Sequence, residues 1–84
     1  MGFIMKLSES VSMRIRQLLA ERNMTQYRLE QLSGLTHNTM LCVMNARYQS
    51  CNIKTLMRII KALNISPKDF FDDPIFGFEN IIID

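Results

Sequence analysis

Residues 25–45 read TQYRLEQLSGLTHNTMLCVMN, and the punctuation of this stretch decides the fold. Thr25 predicts the N-cap of a helix over about 26–33, because its hydroxyl can accept from a backbone N–H that a helix start leaves unpaired. Leu29 and Leu32 are the expected inner face of that helix. Gly34 then supplies the left-handed residue that ends it. Thr36 caps a following helix, about 37–45, with Met40, Val43 and Met44 turned inward. Only Gly34 and Leu35 separate the first helix from the cap of the second. So short a connection makes the two helices cross steeply and leaves the start of the second one exposed.

Helical spacing continues on both sides. Upstream, Val11, Ile15, Leu18 and Leu19 follow the i, i+4, i+7, i+8 rhythm of one helical face, in a helix that Ser8 or Ser10 is expected to cap and that runs out near Asn23. Downstream, Asn52 caps a helix whose stripe is Ile53, Leu56, Ile59, Ile60 and Leu63. A fifth helix begins with Ser66 as cap, Pro67 at the first helical position and Asp69 near the positive end of the helix dipole. Phe70 and Phe71 are expected to close the core, and Pro74 bars continuation. Each of the last four helices carries an apolar residue just before its cap and another five positions later. The pairs are Met24 with Leu29, Leu35 with Met40, Cys51 with Leu56, and Ile65 with Phe70. This is the hydrophobic staple, which fixes the angle at which the chain enters a helix.

The expectation is therefore an all-α fold of five helices in one domain over 1–73, with a short apolar tail over 74–84. Composition narrows the chemistry. At 84 residues and 48% apolar content, the chain can bury one modest core and is too apolar for general disorder. No apolar run approaches the roughly 18–20 residues of a membrane helix. The start of the sequence lacks the charged-then-apolar layout of a signal peptide, so a cytoplasmic setting is expected and no membrane partner. Cys42 and Cys51 are too few for a disulfide framework, and a single histidine leaves no metal site to propose. The seven methionines read as adaptable core filling. There is no nucleophile–base pair, carboxylate pair or phosphate-cradling glycine loop, so neither an enzyme nor a cofactor is expected.

The net charge of +2 conceals an asymmetry. Residues 1–68 hold all ten Lys and Arg against Glu9, Glu21 and Glu30, a balance of +7, whereas residues 69–84 carry five acids and no base. A basic body with an acidic tail is the outline of a polyanion binder, although solvated surface charge is the plainer reading.

At this point the sequence resembles the Cro and phage-repressor type of helix-turn-helix domain, often called the XRE family. The resemblance covers about residues 11–72. It rests on Thr25-Gln26-Tyr27-Arg28-Leu29, Ser33-Gly34-Leu35-Thr36, Thr39-Met40 with Val43, Asn52-Ile53-Lys54-Thr55-Leu56, and Ala62 to Pro67 with Phe70-Phe71. It implies a lambda-repressor-like fold and a sequence-specific transcriptional regulator, a repressor by expectation, that sets helix 37–45 in the major groove of double-stranded DNA as a homodimer. It places Gln26, Thr36, Thr39, Asn45 and Arg47 near the DNA backbone, and His37, Asn38 and Cys42 towards base edges; Tyr48, with Arg47, reads either as a backbone clamp or as part of a solvated loop. Asn suits adenine N6 and N7, threonine methyls suit thymine, and Arg and helix N-termini suit phosphates.

Several positions depart from the pattern that the resemblance implies. Glu30 stands where a small alanine is usual, and it is expected to tilt outward or to pair, for example with an Arg. Ala46 replaces a glycine after the recognition helix, and Cys51 replaces a loop proline. Leu41 and Cys42 are apolar on the groove side, which shifts weight towards shape and backbone contacts. Cys42 reads either as a small residue that fits there or as a redox switch. Arg14, Arg16, Arg22 and Arg28 read as surface charges. The apolar tail, with Phe76, Phe78, Ile81, Ile82 and Ile83, either packs across a two-fold, together with Phe3 and Ile4, or folds back on its own core. The alternative function is a protein-interaction module of the antitoxin or anti-repressor kind.

Overall fold

The computed structural model of the chain describes residues 5–47 and 52–82. Phe3, Ile4, Tyr48, Cys51 and Ile83 lie outside the described residues. The element order is β1 (Met5–Lys6), α1 (Leu7–Glu21), α2 (Gln26–Ser33), α3 (His37–Met44), α4 (Ile53–Ala62), α5 (Pro67–Phe71), a 3-10 turn (Pro74–Phe76) and β2 (Ile81–Ile82).

The four later caps sit where the sequence puts them. The side chains of Thr25, Thr36 and Ser66 each accept from the backbone N–H three residues on, and Asn52 accepts from the N–H of Lys54. The first cap is different. Lys6 holds that position, and the Glu9 carboxylate reaches back to accept from its N–H at 3.0 Å. Ser8 and Ser10 are inside α1 and buried. A serine is a strong cap only at a helix boundary, and pairing of β1 with β2 moves that boundary two residues upstream.

Helix ends are equally local. Asn23, Gly34, Ala46 and Asn64 all have left-handed backbones, with φ of 52°, 73°, 51° and 56°. After α1 the N–H groups of Asn23 and Met24 return to Ala20 and Leu19, and after α4 those of Asn64 and Ile65 return to Lys61 and Ile60. This is the Schellman closure, which satisfies carbonyls that a helix end would otherwise orphan. Met24 and Ile65 thus close one helix and staple the next, and both pack against the core. The same closure ends α3, through Ala46 to Val43 and Arg47 to Cys42.

The core gathers Val11, Ile15, Leu18 and Leu19 of α1, Leu29 of α2, Met40 and Met44 of α3, Leu56, Ile59 and Ile60 of α4, Leu63, and Phe70 of α5. Val43 is only partly buried against it. Three apolar residues expected inside are not. Leu32 is 46% exposed, Ile53 76% and Phe71 43%. Leu32 and Ile53 continue the helical rhythm past the area that the five helices cover. Phe71 forms the rim of an aromatic cluster, with ring centroids 5.0 Å from Phe70 and 4.9 Å from Phe76.

The tail folds back. Asp73 caps the 3-10 turn, Phe76 packs against the core, and β2 pairs in parallel with β1, Met5 opposite Ile81 and Lys6 opposite Ile82.

Three arginines that read as surface charges also have structural partners, with Arg14 and Arg22 partly buried and Arg16 still exposed. Arg14 donates from Nε to the Phe70 carbonyl at 2.8 Å and from Nη2 to that of Asp69 at 2.9 Å, and it pairs with Asp73 at 3.5 Å. Arg16 donates to the Met44 carbonyl at 2.9 Å, beside the Ser12 hydroxyl, and Arg22 to the Leu63 carbonyl at 2.7 Å. All these carbonyls lie in the last turn or cap of α5, α3 and α4, where orphan acceptors and the negative dipole end favour a cation.

Two stability predictions follow from these ends. Replacing Arg14 by Met, which keeps the aliphatic stem, is expected to cost about 1.5–3 kcal/mol in urea unfolding, the range for hydrogen bonds to charged groups. Ala46→Gly is expected to raise stability by about 0.5–1 kcal/mol, because relief of the left-handed strain outweighs the added freedom of the unfolded chain. A thermal midpoint that fails to rise would show that Ala46 is not strained.

Candidate nucleic-acid interface

The starts of α2 and α3 share one face of the molecule, and a single carboxylate ties them together. Glu30, in the middle of α2, extends one oxygen, Oε2, to within 2.9 Å of His37 Nδ1 and 3.2 Å of Gln26 Nε2. Gln26 is the first residue of α2 and His37 the first of α3. Glu30 does pair, as its position required, but with His37 and Gln26 rather than with an arginine. The neighbouring Arg28 turns to Gln31 at 3.3 Å.

Sequence spacing held a signal for one of the two partners. Gln26 precedes Glu30 by one helical turn, and residues four apart on a helix are neighbours. His37 is reached only because the turn at Gly34 folds α3 back across α2, which periodicity within either helix cannot reveal.

The hydrogen bond from His37 lowers the Glu30 pKa below its ordinary value of 4.5, helped by Gln26 and the His37 charge and opposed by desolvation.

The remaining residues are distributed as follows. Thr36 is exposed; it caps α3 and donates its hydroxyl to Thr39 Oγ1 at 3.0 Å. Asn38 is fully on the surface next to His37, whose side chain is 66% exposed. Leu41 and Cys42, one turn on, are half-buried. Asn45 and Arg47 are exposed in the turn after α3, at its far end. Tyr48 lies outside the described residues.

Backbone donors add to this face. Thr25 accepts from the N–H of Arg28 and Thr36 from that of Thr39, so the N–H groups of the first two residues of each helix have no intrahelical acceptor. Two adjacent helix N-termini with open N–H groups form a surface suited to anions such as phosphate. Elsewhere Arg47, after α3, and Lys54, Arg58 and Lys61 of α4 are exposed cations. Among the described residues no group of three or more His, Cys, Asp or Glu is placed to hold a metal ion, and no helix is long and apolar enough to cross a membrane.

The sequence matches the family model described as the Cro/C1-type HTH DNA-binding domain over residues 14–74. Among solved structures it is similar to the prophage Lp1 protein 11, with 30% sequence identity and a TM-score of 0.76, covering 92% of this chain and 97% of that one. No curated protein matches the chain.

Because the folded pKa of Glu30 is lowered, its pairing stabilises the protein above pH 4.5 and is lost as pH falls through the folded value. The stability of the wild type relative to Glu30→Gln, measured by urea unfolding, is therefore expected to shrink on going from about pH 6 to about pH 3. A constant difference across that range would show that the Glu30 charge carries no stability.

Proposed function

The chain belongs to the Cro/C1-type helix-turn-helix DNA-binding domain family, and on that premise we propose that it is a sequence-specific transcriptional regulator, acting as a repressor by occupying promoter DNA. The observation that carries this reading is the shared face of α2 and α3. Gln26 and His37, the first residues of the two helices, are brought together through Glu30, and the first N–H groups of both helices have no intrahelical acceptor. In this reading α3 lies in the major groove, with His37, Asn38 and Cys42 towards base edges. Gln26, Thr36, Thr39, Asn45, Arg47 and Tyr48 contact the two flanking stretches of backbone. The protein works in the cytoplasm as a binding protein and not as an enzyme.

A homodimer belongs to the same reading. A module of this size covers only about 600–1,000 Å² of DNA, so two copies on half-sites about 34 Å apart supply affinity that one cannot. Phe78, 81% exposed, and Ile82, 48% exposed, give the tail an apolar outer side that a second copy can cover.

Selection of bound sites from randomised duplexes tests the whole. A palindromic enriched site is expected, and affinity for it falls steeply with added salt as counterions return to the phosphates. Arg47→Ala is expected to lower the slope of log affinity against log salt by about one, uniformly across sequences. Duplex binding that is indifferent to salt counts against the DNA reading and favours a protein-interaction module of the antitoxin or anti-repressor kind.

A further inference from the structure

Glu30 is a negative charge on the face that is read here as meeting a polyanion, and it has no part in the contacts assigned so far. Its carboxylate is 12% exposed, whereas the imidazole it holds is 66% exposed. An ionised carboxylate only accepts hydrogen bonds, so the hydrogen between the two groups sits on His37 Nδ1. One ring nitrogen is thereby held by Glu30, and Nε2 is the nitrogen of this largely exposed ring left for an outside partner. Gln26 donates to the same Glu30 oxygen, which anchors the carboxylate from a second side.

We propose that Glu30 is a specificity-determining positioning residue, which fixes the tautomer and plane of His37 so that Nε2 alone reads a base edge. The proposal rests on the DNA-binding reading above. With Nδ1–H donated to Glu30, a neutral ring presents a lone pair at Nε2. Its complement in the major groove is an amino group, cytosine N4 or adenine N6; guanine O6 and N7 and thymine O4 are themselves acceptors and are disfavoured. Without the carboxylate the ring rotates and either nitrogen carries the hydrogen, so one contact position loses its preference.

Two substitutions separate this role from simple charge. Glu30→Ala and Glu30→Gln both remove one negative charge near the phosphates and are expected to tighten binding to random duplex to a similar degree. Only Glu30→Ala removes the acceptor; the amide oxygen of Gln can still receive Nδ1–H. Site selection is run at about pH 8.5, where an imidazole is neutral, on wild type, both variants and His37→Ala.

His37→Ala identifies the base pair that the ring reads. At that pair the wild type and Glu30→Gln are expected to prefer cytosine or adenine by about tenfold, the worth of one good hydrogen bond. Glu30→Ala is expected to reduce that preference to about twofold or less there, and to leave the other positions unchanged. Adding Glu30→Ala to His37→Ala is expected to change nothing further at that pair. A variant that has lost its fold flattens every position at once and is recognised by its circular dichroism; the paired Gln variant then carries the comparison.

The proposal is overturned if Glu30→Ala keeps the preference, or if Glu30→Gln loses it to the same extent. If the wild type itself enriches no site, the DNA reading fails and takes this inference with it, a result distinct from either of those.

Discussion

The C-terminal ends of α3, α4 and α5 converge on α1, which meets their carbonyls with Arg16, Arg22 and Arg14. A domain of this size buries only one small core, and apolar packing alone holds helices loosely about their own axes. Hydrogen bonds from a guanidinium to a helix end are directional, and they act where the dipole is negative and acceptors would otherwise be orphaned. Together with Ser12 on the Met44 carbonyl, they fix the far end of α3 against α1. Its near end is fixed separately, by the Thr36 cap and by Glu30 on His37. Helix α3 is thus held at both ends by polar contacts and along its inner side by buried Met40 and Met44.

The same contacts mark the limit of what the sequence discloses. Caps, staples and left-handed ends involve residues three to six apart, and Thr25, Gly34, Thr36, Asn52 and Ser66 announce them through their own chemistry. Five helices and their order were legible for that reason. Arginine has no such local signature. Its carbonyl partners lie between 28 and 56 residues away, so Arg14, Arg16 and Arg22 look identical to solvated charges until the helices are assembled. Leu32, Ile53 and Phe71 fail in the opposite sense. Their rhythm is right, but rhythm fixes only the direction in which a side chain points, and the neighbouring helices run out before they are covered.

This changes the electrostatic argument as well. A balance of +7 over residues 1–68 counts cations wherever they sit. Those of Arg14, Arg16 and Arg22 are engaged with helix carbonyls, and Asp73 is already paired with Arg14. A neutral carbonyl leaves the guanidinium charge in place, so these cations still add to the field from fixed positions, alongside exposed residues such as Arg47, Lys54, Arg58 and Lys61 and the open helix N-termini. Such a field draws in phosphate without regard to sequence, and in the DNA-binding reading discrimination falls to the groups at the start of α3.

Those groups are sparse. Leu41 and Cys42 are apolar and half-buried, so in the DNA-binding reading His37 and Asn38 carry most of the polar chemistry that the start of α3 offers a groove. An exposed side chain that is free to rotate averages over its contacts, and a histidine also has a choice of which nitrogen bears the hydrogen. Placing Glu30 where the family pattern has a small residue costs some attraction to phosphate. In the positioning role proposed for it, Glu30 in exchange removes both freedoms from His37 and leaves the outer nitrogen in one place. For a recognition helix with so few polar groups, definition of each one matters more to sequence discrimination than one additional unit of positive field.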